Sequence, residues 1–384
     1  MNTNVISAKT PLKRWFWGQM SPHVLPVAAR IWPDFSPAVV LSPKVPGEAM
    51  TMRLPLPLHP HHPAAAAPPL AALPVADNFM KNTIKIGTRG SQLALWQANW
   101  VKGQIEAKFP TVQVQIIKIK TTGDKIVDRP LAMVGGKGLF VKEIERALLD
   151  KDIDIAVHSM KDMPGDLPQG LCIGAIPVRE DPRDVLVSRN NLSLMELPAG
   201  ATIGTSSLRR ASQIKHVRPD LNIASIRGNL GTRLGKLDKG EFDAIVLAAA
   251  GIIRLGMKDR ITQYLEPDTM LPAVGQGALC IETRDNDTDI APFLAVLDNP
   301  ETRITVMAER AFLQKLEGSC HIPVACFGTL EAGELTLTGL VASEDGIQMV
   351  KEVSKGSGAS AEAIGTSLAT TLLDRGAAQI LENL

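Results

Sequence analysis

Part of this chain is written twice. Ile86-Gly-Thr-Arg-Gly-Ser91 is echoed by Ile203-Gly-Thr-Ser-Ser207, and Gly138 through Asp154-Ile-Ala-Val157 is echoed by Gly228 through Asp243-Ala-Ile-Val246. Each echo sets a short apolar run against the start of a helix-period segment, in the same order. Strand-turn-helix alternation of this kind dictates an α/β fold, in which helices cover the faces of a largely parallel sheet. Two copies predict two lobes of similar build that enclose a cleft. Loops at the carboxyl ends of such strands face the crevice, and helix amino termini there favour anions.

The first copy opens with a strand over Thr83–Gly87 and a helix from about Ser91 to Lys108. Ser91 caps that helix, and Trp96, Trp100, Val101 and Ile105 recur at helical spacing, facing the core. A second strand follows over Val112–Ile119. Gly135-Gly-Lys137-Gly138 then opens a helix whose Phe140, Ile144, Ala147 and Leu148 share one face. The phosphate-loop pattern G-x-x-x-x-G-K-[ST] is absent, so Lys137 reads as part of a mobile, glycine-rich anion loop. A strand over Asp154–Val157 delivers His158-Ser-Met-Lys-Asp162-Met-Pro164, which sets an imidazole, a hydroxyl, a base and an acid at the mouth of the sheet. The plainer alternative is a polar turn in which Ser159 or Asp162 satisfies nearby backbone N–H groups. No nucleophile elbow G-x-S-x-G is present, which argues against a serine hydrolase.

Arginines gather at the predicted strand ends. Arg89 follows the first strand, Arg209 and Arg210 follow Ser206-Ser207, and Arg227 ends the strand after Asn222. Arg233 starts the next helix, and Arg254 follows the apolar run Ala244–Ile253, read as a buried strand and its turn. That run is about half of a membrane-spanning length. With 41 Lys+Arg against 40 Asp+Glu there is no global field to attract nucleic acid or an anionic membrane. Arginines clustered at successive strand ends in a neutral protein instead describe a pocket for carboxylate or phosphate groups, because the guanidinium fork meets such groups two oxygens at a time.

Leu271-Pro-Ala-Val-Gly-Gln-Gly-Ala278 is rich in small residues and reads as a hinge between the lobes. A helix from about Ile304 to Glu317 leads into the turn Leu316–Pro323, with Cys320 at its centre. Glu334–Ala342 and Gln348–Val353 alternate like a hairpin, and Ala361–Asp374 is amphipathic, which makes a third, small domain. The four cysteines, Cys172, Cys280, Cys320 and Cys326, form no C-x-x-C pair, so neither a disulfide framework nor a metal knuckle is expected and a reducing compartment fits. Cys320 is either an uncovered, reactive thiol on a tight turn or a small buried hydrophobe. Residues 1–79 hold 14 of the 27 prolines and stand outside the fold, as a disordered or non-native extension or as an organellar transit segment.

Five motifs in order carry a resemblance. Val157-His-Ser-Met-Lys-Asp162, Gly204-Thr-Ser-Ser-Leu-Arg-Arg210, Arg227-Gly-Asn-Leu-Gly-Thr-Arg233, Leu271-Pro-Ala-Val-Gly-Gln-Gly277 and Glu317-Gly-Ser-Cys320 closely resemble the porphobilinogen deaminase, or hydroxymethylbilane synthase, family from about residue 82 onward. The resemblance implies an α/β protein of three domains. Two are lobes like those of periplasmic binding proteins, one over 80–178 and 278–297 and the other over 179–277, and the third is a small α+β domain over 298–384. It also implies a dipyrromethane cofactor held by Cys320 through a thioether, on which four porphobilinogen molecules are joined with loss of ammonia. Hydroxymethylbilane is then released by water. Ser159, Lys161, Asp162, Ser207, Arg209, Arg210 and Gly228 match the family's cofactor contacts, and Arg89, Lys137, Arg227, Arg233 and Arg254 its substrate contacts, with no metal. Loss of ammonia leaves a cationic azafulvene, and Asp162 is the carboxylate matched to stabilise it. Met133 departs from the family, whose members often carry a lysine there. A cytoplasmic monomer is implied. The rival from another class is a non-enzymatic, two-lobed anion-binding protein, which needs neither Cys320 nor Asp162.

Overall fold

The computed structural model describes residues 81–125, 138, 140–316 and 322–383. Lys137, Met133, Cys320 and the extension 1–79 lie outside the described residues.

Two five-stranded sheets form. In the first, β1 (Thr83–Thr88), β2 (Gln113–Lys118), β3 (Ile155–Ser159), β4 (Leu171–Ala175) and β10 (Leu279–Arg284) take the order β2-β1-β3-β10-β4. In the second, β5 (Asp184–Ser188), β6 (Thr202–Gly204), β7 (Asn222–Ala224), β8 (Ala244–Ala248) and β9 (Gln263–Leu265) take the order β7-β6-β8-β5-β9. Each sheet has three parallel strands, and beside them a strand antiparallel to both its neighbours. Position for position the two agree, as the sequence echo predicts. The antiparallel strands β5 and β10 are the ones that the chain supplies on arriving from the other lobe. Between the sheets the chain crosses twice, side by side: Glu180 N donates to Gly277 O at 3.3 Å. Gly277 has φ +88°, and a Cβ there would sit 2.3 Å from Glu180 O, so only glycine lets the crossings touch.

Burial follows from this layering. In β8, Ala244 and Val246 enter one apolar cluster while Ile245 and Leu247 enter another, which is why the strand is apolar throughout instead of alternating. Helix α1 (Gln92–Lys108) starts at Ser91, whose side chain accepts from Ala94 N, and buries Val101 and Ile105. Helix α2 (Lys142–Leu149) buries Ile144 and Leu148. The second lobe adds α3 (Leu208–Val217), α4 (Leu230–Asp238) and α5 (Ala249–Arg254), so strand β8 runs directly into a helix and not into the expected turn. Lobe 1 regains a short α6 (Ala291–Ala295) after β10.

The third unit is an antiparallel sheet of β11 (Val324–Glu331), β12 (Glu334–Ala342) and β13 (Met349–Ser357), one strand more than the expected hairpin. Helices α7 (Pro300–Lys315) and α8 (Ala361–Leu372) pack on it through Phe312, Leu337, Leu368 and Leu372. Helix α7 begins four residues before its expected start, because Asn299 caps it by accepting from Thr302 N, with Pro300 in the first turn. It is fastened to the crossings: Arg179 Nη1 donates to Glu309 Oε1 at 2.6 Å, and Gly275 N donates to Glu309 Oε2 at 2.7 Å. Arg310 Nη2 donates to the carbonyls of Pro164 and Gly165, both at 2.9 Å.

His158 is a correction. It lies in β3 and not in the loop beyond it, 5% exposed, with Nε2 3.0 Å from Glu282 Oε2 of β10. Glu145 of α2 is buried nearby, and Oε1 of Glu145 and Oε1 of Glu282 have no hydrogen-bond partner among the described residues. Burial first, and the Glu282 charge second, push the Glu145 carboxyl up to about 7. A carboxyl raised in the folded state contributes stability below its unfolded pKa that is lost as pH rises through the folded value. Glu145→Gln is therefore expected to match the parent near pH about 4.5 and to exceed its melting temperature by roughly 2–4 °C at pH about 8. Thermal unfolding followed by circular dichroism across that range checks this, and parallel curves would contradict it.

Candidate active site

A cleft of about 940 Å³ lies between the lobes, lined by the ends of the strands of both sheets. From lobe 1, β3 ends at Ser159 and runs into a single helical turn, Met160–Asp162. Met160 N donates to Ala278 O at 3.0 Å, so this turn is pinned to the returning crossing. Ser159 Oγ accepts from Gln97 Nε2 at 2.9 Å, and Lys161 Nζ lies 3.4 Å from Gln276 Oε1. Asp162 is exposed to the cleft and makes no ion pair among the described residues. Arg89, just past β1, donates from Nε to Asp124 Oδ1 at 3.1 Å and stacks 4.0 Å over the Phe140 ring.

From lobe 2, Arg210 comes from the first turn of α3 and Arg233 from the start of α4. Arg227 and Gly228 come from the loop between β7 and α4, where Asn229 caps α4 by accepting from Thr232 N. Gly228 has φ +111°, and a Cβ there would lie 2.5 Å from Thr232 Cγ2. That fold of the loop lets its carbonyl accept from Arg233 Nε at 2.9 Å. Arg254 ends α5, donates from Nη2 to Gly277 O at 2.7 Å, and lies 5.9 Å from the Trp96 ring centroid. Trp96 thus meets this arginine at the edge of the cleft instead of joining the lobe 1 core.

Of the residues predicted from sequence, Arg89, Ser159, Lys161, Asp162, Arg210, Arg227, Gly228, Arg233 and Arg254 converge on the cleft. Ser207 and Arg209 do not line it. Ser207 is the cap position of α3, and Arg209 turns inward, donating from Nη1 to Asp184 Oδ2 and to Leu271 O, both at 2.7 Å. Lys137 and Cys320 are outside the described residues. Sequence reasoning missed Asp184, Gln276, Gln97 and Lys120. Only Asp184 left a signal, as a lone acid heading the apolar run Val185-Leu-Val187.

The lining is cationic. Its acids are Asp162 and Asp124. Asp124 is bound to Arg89; burial alone would raise its carboxyl, but the hydrogen bonds from Arg89 and Thr121 take it below the usual carboxylate range. Burial, then the neighbouring charges of Arg210 and Arg227, bring Arg233 down to about 10, against the opposite pull of Asp162. Burial brings Arg254 down to about 10 as well. Lys161 falls to about 8 through burial and then Arg210. Cations crowded and desolvated so that each holds its proton less tightly form a site that gains from taking up anions. Asp162 is the one carboxylate there that no arginine holds in an ion pair among the described residues.

Two family models match the chain: "Porphobilinogen deaminase, dipyromethane cofactor binding domain" over residues 84–292, and "Porphobilinogen deaminase, C-terminal domain" over residues 303–374. The porphobilinogen deaminase of Syntrophobacter fumaroxidans is 54% identical over 301 residues, which cover 78% of this chain and 97% of the relative. That of Alkaliphilus metalliredigens is 52% identical, covering 79% of this chain and 96% of the relative. That of Bacillus pumilus is 53% identical, covering 79% and 97%. Among solved structures, the methionine binding protein MetQ covers 56% of this chain and 90% of its own at 12% identity and a TM-score of 0.37, a likeness that informs neither site nor substrate. With more than half of the positions identical across nearly the full length of these relatives, the chain belongs to the porphobilinogen deaminase family.

Proposed function

We propose that this cleft joins four porphobilinogen molecules head to tail, one ammonia leaving at each addition, on a dipyrromethane primer tethered to Cys320, and that water then releases hydroxymethylbilane. The observation that carries this reading is the surplus of buried and half-buried cations around Asp162, a carboxylate that makes no ion pair among the described residues. Every pyrrole unit of this chemistry bears an acetate and a propionate, so a growing chain is a polyanion. Lys161, Arg210, Arg227 and Arg233, whose charges repel one another across the cleft, are a donor set that fits it. When bound, the dipyrromethane supplies a nucleophilic pyrrole carbon to which the first unit is added.

The chain's own residues do the rest. Ser159, Lys161 and Arg210 would hold the primer's carboxylates and hydrogen-bonding edges, with Gly228 giving close backbone approach. Arg89, Arg227, Arg233 and Arg254 would orient the incoming substrate. Asp162 sits where positive charge develops on the substrate as its amine departs as ammonia, and it stabilises that charge electrostatically. It also accepts a hydrogen bond from the pyrrole N–H of the bound substrate and would take up the proton that the attacked ring carbon gives up as the new carbon–carbon bond forms, passing it to the departing ammonia. The same proposal includes a monomer in a reducing, cytoplasmic compartment. Cys172, Cys280 and Cys326 are free thiols, which suits a reducing compartment.

Asp162→Asn, with primer loading verified by intact mass, is expected to lower the rate of ammonia release about 100-fold or more; turnover near the parent's would remove Asp162 from the chemistry. Cys320→Ser is expected to give a protein whose intact mass lacks the dipyrrole and which shows no colour with an aldehyde reagent for pyrroles; an unchanged adduct would place the tether elsewhere. Because burial and then the Arg210 charge depress Lys161 to about 8, binding an anion beside it should raise it and draw in protons near pH about 8.5. Calorimetric titration of the Cys320→Ser protein with porphobilinogen, in two buffers of different ionisation enthalpy, measures that uptake, and Lys161→Gln should abolish it.

A further inference from the structure

The arginine pair that opens α3 is not free. Asp184, the first residue of β5, is fully buried, and its two oxygens are shared out among three donors. Oδ2 accepts from Arg209 Nη1 at 2.7 Å. Oδ1 accepts from Arg210 Nη2 at 2.7 Å, from Arg210 Nε at 3.0 Å and from Gln276 Nε2 at 3.0 Å. Burial alone would raise this carboxyl, but the charges of Arg209 and Arg210 outweigh it and hold Asp184 well below the usual carboxylate range. Two cations therefore share one anion, and the trio keeps one positive charge.

The hydrogen bonds say where that charge is offered. Both Nη1 hydrogens of Arg209 are engaged, one on Asp184 and one on Leu271 O. Arg210 gives one Nη1 hydrogen to Val246 O at 2.9 Å and, among the described residues, keeps one hydrogen unengaged on each terminal nitrogen, and it is Arg210 that lines the cleft. Gln276 extends the set: its Nε2 also donates to Pro182 O at 2.7 Å, and its Oε1 lies 3.4 Å from Lys161 Nζ, next to Asp162. One neutral amide thus spans both crossings and touches both sides of the cleft.

We propose that Asp184 is a positioning residue for the reaction: it clamps Arg210 so that one fixed edge of the guanidinium meets a carboxylate of the primer and of the substrate unit being joined to it, with Arg209 as the second counter-cation and Gln276 as the brace to Lys161. This rests on the cleft binding carboxylate-bearing pyrroles. An arginine ordered in advance gives up little freedom when its ligand arrives, so the clamp acts on affinity. A merely structural Asp184 would instead change how much protein folds, and not how each folded molecule binds.

The test is steady-state kinetics with porphobilinogen, per primer-loaded site counted by intact mass. The parent must turn the substrate over, and if it does not, the proposed function fails before the clamp is tested. In Asp184→Asn, KM is expected to rise about tenfold or more while kcat falls less. Adding Gln276→Glu returns a carboxylate to the same cluster and should recover most of the loss, which a packing defect would not allow. A loaded Asp184→Asn with the parent's KM, or a double variant no better than the single, overturns the proposal. Where Asp184→Asn does not load, Gln276→Met leaves both arginine bonds to Asp184 in place, removes the amide that donates to Asp184 and Pro182 O and braces Lys161, and is expected to raise KM about two- to threefold; the parent's KM there overturns the proposal equally.

Discussion

The pairing of β10 with β3 is the contact on which the site depends. Five residues of each, Leu279–Thr283 against Ile155–Ser159, run antiparallel at the centre of the first sheet. Because β10 comes back from the other lobe, its ladder fixes where the second crossing leaves the sheet, and that crossing receives the Met160 N–H and holds the turn bearing Lys161 and Asp162. The buried His158 and Glu282 add a side-chain bond across the same ladder. A register slip of one residue would turn every side chain of β10 to the opposite face, so the position of Asp162 is specified by core packing and not by the loop itself.

The electrostatics of the cleft oppose the fold that carries them. The cations gathered around the cleft repel one another, and desolvation penalises Lys161, Arg210 and Arg233. The chain tolerates this because the strain is confined to one place in a protein of net charge +1, and because Arg209 and part of Arg210's demand are met by Asp184. Local unfavourable charge at a functional site, within an otherwise self-consistent structure, is what an anion-binding cleft requires.

Much of this was legible in the sequence, for reasons that differ by feature. The duplicated lobes were visible because the same strand-turn-helix signals recur in order, and the arginines because strand ends follow from apolar runs. Cap residues such as Ser91 announce helix starts through local chemistry alone. What escaped detection depends on contacts between distant segments. Nothing near Asp184 in sequence reveals that Arg209 and Arg210, 25 and 26 residues on, converge on it. His158 was misplaced because the strand runs two residues further than its apolar core, and its partner Glu282 lies 124 residues away. Strand β11 escaped because Cys326 and Gly328 interrupt the alternation that marks a half-buried strand, although both fit beneath packed helices.

The attachment of α7 has a mechanical consequence. Glu309 binds Arg179 of one crossing and the backbone of Gly275 in the other, while Arg310 grips the two carbonyls just beyond Asp162. A body bolted at the pivot of two arms is displaced least when the arms swing. The third domain is therefore carried with the Asp162 turn, and the separation between them is insulated from the width of the cleft. In the proposed reaction the lobes would have latitude to widen around a lengthening polyanion while α7 keeps its bearing on the turn that carries Asp162.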